Sequence, residues 1–159
     1  MPSGRTGIRG VLRALGTCLL VAVFLVATGC GGDDSEPDRF SQSYNAAIRQ
    51  LANVNQELAG LDVSAKSSRA IAKELDRFGA ALESTRGRLA RLEPPERAAT
   101  EFAALLSALD DSVGASRRAA AAARAIQPAR QRRALRQLRA ATGEVDRAQD
   151  ALGRAVQTG

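Results

Sequence analysis

The sequence predicts an all-α protein, an up-down-up-down four-helix bundle, and three observations carry that expectation. Apolar residues between positions 40 and 156 recur at steps of three, four and seven, the spacing of one helical face. Gly60, Pro94-Pro95 and Pro128 interrupt the recurrence at the places where turns would fall. Alanine and arginine dominate a chain with one Tyr, four Phe and neither Trp nor His, a composition that favours helix. The alternative pattern is a three-helix bundle, in which segments 96–127 and 128–157 form one long rod kinked at Pro128.

The elements follow in order. Residues 1–29 form a tripartite leader. Arg5, Arg9 and Arg13 precede an apolar run from Ala14 to Thr28, and no acid occurs before Asp33. That run is shorter than the roughly 20 residues a bilayer-spanning helix needs, so it suits a cleaved signal peptide better than a permanent anchor. No twin arginine is present, which leaves the general secretory route.

At the end of the leader stands Ala27-Thr28-Gly29-Cys30. This tetrad resembles the lipobox of bacterial lipoproteins, although Ala27 stands where that family most often has Leu. The resemblance implies that the Cys30 thiol receives a diacylglyceryl group. It also implies cleavage between Gly29 and Cys30, so that the mature chain begins at a lipid anchor on the outer face of the cell membrane. The small residues Thr28 and Gly29 would let the peptidase seat a narrow backbone beside a bulky thioether. Residues 30–37, with "GGDDSEPD" after Leu25 to Cys30, then read as the lipidated Cys and an acidic, hydrated tether. Cys18 falls in the leader, so Cys30 is left without a disulfide partner and the domain at 38–159 must rest on packing.

Helix one is expected from Pro37, with Ser35 as its cap, and carries Phe40, Tyr44, Ile48, Leu51, Leu58 and Leu61. Helix two is expected after Ser64, with Ile71, Leu75, Phe78, Leu82, Leu89 and Leu92 in its stripe and Thr85 at one stripe position. Helix three has Phe102, Leu105, Leu109 and Val113 before the alanines 119–123. Helix four has Leu135, Leu138, Val145, Leu152 and Val156, diluted by Thr142 and Gln149. Phe40, Tyr44, Leu92, Phe102, Leu105, Leu152 and Val156 should gather at the end nearest the lipid. The stretch "RLARLEPPERAATEFAALLSAL", residues 88–109, is similar to the helix–Pro-Pro–helix hairpin of small helical lipoproteins of actinobacteria. The likeness supports fold and location and implies no activity.

Catalysis finds no support. Without His there is no Ser-His-Asp or Cys-His pair and no Glu-x-x-His di-iron motif. Zinc would need carboxylates alone, and no phosphate loop, haem-attachment motif or Ser-x-x-Lys is present. Asp110-Asp111 and the Asp146–Asp150 pair read as solvated helix faces. No enzyme activity, cofactor or metal is expected.

The positive signal is charge. Arg117, Arg118, Arg124, Arg130, Arg132, Arg133, Arg136 and Arg139 fall in one stretch with no acid between Asp111 and Glu144. In the bundle they straddle the turn between helices three and four, at the end away from the lipid. Such a basic tip suits an anionic wall polymer or an opposing lipid surface. Export and the lack of stacking aromatics disfavour nucleic acid. The plain alternative is a solvated face. Two functions are therefore expected as competitors. One is a non-catalytic envelope lipoprotein, a helical binding or spacer module with a basic distal tip. The other is a sensory lipoprotein holding a small molecule between helices, lined by Thr85, Thr142, Gln149 and the alanines. No protein partner is named by the sequence. The first expectation is tested at Cys30: wild type expressed in a bacterium with a labelled fatty acid should carry label in the membrane fraction, and Cys30→Ala should carry none.

Overall fold

A computed structural model describes residues 36–59 and 66–157, and all its regular structure is helical. Cys30, Gly29, the leader, residues 30–35 of the tether with the Ser35 cap, Ser64 and the Gly60 break lie outside the described residues, while Glu36 and Pro37, expected at the end of the tether, form the start of the first helix. Among the described residues there are four α-helices: α1 (Glu36–Ala59), α2 (Ser68–Leu89), α3 (Ala99–Arg124) and α4 (Pro128–Gln157), with a short 3₁₀ turn at Glu96–Ala98 before α3. The rod kinked at Pro128 does not form. Arg97, ahead of α3, donates to the Val156 carbonyl near the end of α4 at 3.0 Å, so the chain doubles back between them.

Local chemistry sets each boundary. α2 starts later than the serine at 64 suggested, because Ser67 is its cap: the Ser67 Oγ accepts from the Ala70 amide at 3.3 Å, and the Ser67 carbonyl takes the Ile71 amide at 3.0 Å. Its end tightens before the prolines, with the Leu92 amide on the Leu89 carbonyl at 2.8 Å. The Ala98 amide then donates to the Pro95 carbonyl at 2.8 Å and leads into α3. Pro128 opens α4 at its first position, where a missing amide costs nothing, while the Gln127 carbonyl accepts from the Gln131 amide at 2.9 Å.

The bulky stripes do what their spacing requires. Ile71, Leu75, Phe78, Leu82 and Leu89 of α2 are buried, as are Phe40 and Leu51 of α1 and Leu138, Val145 and Leu152 of α4. Tyr44, Ile48, Leu92, Leu135 and Val156 are partly buried against the same core. Phe40 stacks on Tyr44 with ring centroids 5.8 Å apart and meets Phe102 edge-on at 5.5 Å, joining the starts of α1 and α3.

α3 is the centre of the packing. Its most extensive contacts are with α4 and α2, while α1 packs chiefly on α2. Burial on α3 accordingly extends beyond the leucine stripe to Ser112, Ala115, Ser116, Ala119, Ala120 and Ala123. The Ser116 hydroxyl donates to the Leu75 carbonyl of α2 at 2.7 Å, and a methyl at Gly79 would meet that hydroxyl at 3.3 Å. Three ion pairs order the same seam: Arg86 with Asp110, Glu83 with Arg117, and Asp76 with Arg124. Partners that rise along α3 fall along α2, so these two helices are antiparallel.

Two buried hydroxyls, Thr85 Oγ1 and Ser112 Oγ, have no hydrogen-bond partner among the described residues. A buried unpaired hydroxyl retains its desolvation cost of about 1–3 kcal/mol. Thr85→Val keeps the shape and removes that cost, so it should raise stability by about 1 kcal/mol in denaturant unfolding. Leu82→Ala should lower it by about 2–5 kcal/mol, because Leu82 is 1% exposed and leaves a cavity. A less stable Thr85→Val would show that the hydroxyl has a partner.

Candidate anionic-partner surface

The eight arginines divide by their neighbours. Arg117 and Arg124 lie on the side of α3 that faces α2, where they meet carboxylates: the Arg117 guanidinium sits 2.8 Å from Glu83, and Arg124 pairs with Asp76. The sequence stretch holds no acid, but the antiparallel neighbour supplies two. Linear charge counting misses these pairs because the partners are 34 and 48 residues apart. Both pairs are exposed, so each is worth at most about 1 kcal/mol and acts mainly to cancel local charge.

The other six are Arg118 on α3 and Arg130, Arg132, Arg133, Arg136 and Arg139 on α4. All are exposed, and none has an ion-pair partner among the described residues. Arg130, Arg132 and Arg133 occupy the first two turns of α4. Arg136 and Arg139 run on down the same helix, with Arg139 about 16 Å from Pro128 at 1.5 Å per residue. The basic surface is therefore a stripe on α4 that begins at the α3–α4 turn. By the same rise, the 26 residues of α3 separate that turn from the Phe102 end by roughly 40 Å.

The turn itself carries a feature the sequence does not announce. α3 ends with the Ile126 amide on the Ala123 carbonyl (3.1 Å) and the Gln127 amide on the Ala122 carbonyl (3.4 Å), the paired bonds of a Schellman cap. The residue at its centre must be left-handed, and Ile126 has φ 51°. Glycine normally occupies this place. For a β-branched residue the conformation costs about 1–2 kcal/mol. Ile126 is also 73% exposed, so burial does not offset that cost.

The acidic pairs behave differently. Asp110 is held by Arg86, whose Nε and Nη2 both donate to it, and Asp111 is exposed. Among the described residues no group of His, Cys, Asp or Glu is placed to hold a metal ion. No described helix is long and apolar enough to cross a membrane. Of the polar residues expected to line a ligand site, Thr85 is fully buried, while Thr142 and Gln149 are half-buried. The Thr142 hydroxyl donates back to the Arg139 carbonyl of its own helix at 3.0 Å.

Asp146 and Asp150 sit one turn apart on α4, and the charge of Asp150 reaches Tyr44 of α1. Burial first, and the like charge of Asp150 second, push the Asp146 carboxyl above the ordinary carboxylate range. The same two causes, in the same order, raise the Tyr44 phenol. No family model, curated protein or solved structure matches the chain.

A carboxyl whose folded pKa lies above its unfolded one favours the fold while protonated. That contribution is lost as pH rises from the ordinary carboxylate pKa through the folded value. Asp146→Asn should therefore raise the melting temperature at pH 7 and leave it unchanged below about pH 3, where both states are protonated. An equal gain at both pH values would assign the effect to something other than charge.

Proposed function

We propose that this is a lipid-anchored envelope protein, exported by its leader, held to the outer face of the cell membrane through Cys30, and non-catalytic. Its helices form an up-down-up-down bundle that serves as a rigid spacer and presents a basic tip to anionic envelope material, either a wall polymer or a lipid surface. The antiparallel ion pairs of α2 with α3, the Arg97–Val156 hydrogen bond, and the Phe40–Phe102 contact between helix starts support that topology.

The observation that carries the functional reading is the unpaired arginine stripe. Five exposed arginines of α4 gather from the α3–α4 turn onward, about 40 Å from the helix starts that follow the tether. Evenly solvated helices intersperse their charges, as α2 does with Lys73, Glu74, Asp76 and Arg77. A one-sign stripe at the far end of a spacer attracts polyanions, and its reach is limited to about 10 Å at 0.1 M salt.

Full-length protein reconstituted in neutral vesicles should retain purified anionic wall polymer or capture anionic vesicles at low salt, and release them at high salt. Changing Arg130, Arg132, Arg133 and Arg136 together to Gln preserves helix propensity and should weaken capture at least about tenfold. Equal capture by that variant, or none by the wild type, would leave the arginines as a solvated face.

A further inference from the structure

Among the described residues, Ile126 is the one large apolar side chain left exposed, and it is also the one non-glycine residue with positive φ. Both peculiarities fall on the turn that begins the arginine stripe. The whole connection shares the exposure: Ala125, Gln127, Pro128, Ala129 and Arg130 are all open to solvent. Glycine or asparagine would close the same Schellman cap without the steric conflict, so neither the cap nor the core accounts for isoleucine here. Strain held at an exposed position is a reason to look for a role outside the fold.

Resting on the reading of the basic tip, we infer that the anionic material it meets is a lipid surface and that Ile126 inserts into that surface. A hydrophilic polyanion would satisfy the guanidinium groups of Arg130, Arg132 and Arg133 but offers no apolar phase to Ile126. A membrane rich in anionic phospholipid offers both at the right depths. Phosphates lie at the headgroup level and the acyl boundary lies a few ångströms beneath, where an apolar side chain settles. The turn joins the capped end of α3 to the start of α4 and leaves its isoleucine 73% exposed. One residue and a few charges bind weakly, and a membrane-anchored array of copies multiplies that contact.

The test uses full-length protein reconstituted in neutral phosphatidylcholine vesicles. It is mixed with fluorescent target vesicles of phosphatidylcholine alone or with phosphatidylglycerol, and in parallel with soluble wall polymer. Wild type should capture the anionic vesicles. Ile126→Gly should reduce that capture roughly tenfold while melting at or above the wild-type temperature, since the cap strain is relieved. That combination separates lost insertion from lost folding. Because the chain has no Trp, Ile126→Trp places a single reporter in the turn. Its emission should shift to the blue and be quenched by brominated anionic lipid, and should not respond to the polymer. Undiminished capture by Ile126→Gly, or an unshifted Trp, overturns the insertion. If the four-arginine variant alone loses capture, or if wild type binds polymer and no vesicles, the anionic tip stands and the insertion falls. If wild type binds neither, the tip reading falls with it.

Discussion

The Ser116 hydroxyl reaches the Leu75 carbonyl of the neighbouring helix at 2.7 Å, which demands that α2 and α3 be thin where they meet. Gly79 provides the room on one side, and Ser112, Ala115, Ala119, Ala120 and Ala123 keep α3 slender over its length. Most helices bury one stripe. α3 buries more than one because small side chains let two neighbours approach it closely, so it can serve as a core for both α2 and α4. The residues do not bury much area each, and the bulky stripes of α2 and α4 supply the remainder.

That close seam has a register, and the register distributes charge. With Leu75 opposite Ser116, Asp76, Glu83 and Arg86 of α2 fall beside Arg124, Arg117 and Asp110 of α3. The α3 members are seven residues apart, the repeat at which flanking positions return to the same edge of a helix pair. Arg117 and Arg124 of α3 are thereby matched within the molecule, whereas Arg118 of α3 and Arg130, Arg132, Arg133, Arg136 and Arg139 of α4 have no ion-pair partner among the described residues. The asymmetry of the surface follows from which helix occupies the centre.

Much of this was legible in the residues. The α2 stripe could be read position by position, because Ile71, Leu75, Phe78, Leu82 and Leu89 are bulky and nothing else competes for that face. Pro94-Pro95 and Pro128 marked real ends. The second buried face of α3 was not legible, since Ser112, Ser116 and Ala115 carry no hydrophobic signature and are buried by proximity. The cap of α2 lay at Ser67 because two serines in a row were equally able to begin a helix after Ser64. Pairing of Arg117 and Arg124 depends on a neighbour distant in sequence, and the left-handed Ile126 depends on a cap that glycine would ordinarily reveal. At the basic site, the arginines could be found by counting, but only the fold divides the matched from the unmatched.

The aromatic contact at the start of α1 also makes the molecule its own optical instrument. Tyr44 is the single tyrosine of a chain without tryptophan, and it lies where α1 stacks through Phe40 and comes under the field of Asp150 on α4. Near-ultraviolet signal from this protein therefore originates at the docking of its least embedded helix and at almost nothing else. Release of α1 alone would change that signal, and the strong alkaline absorbance of a freed phenolate would emerge at ordinary phenol pH, while the α2–α3–α4 layer remained folded.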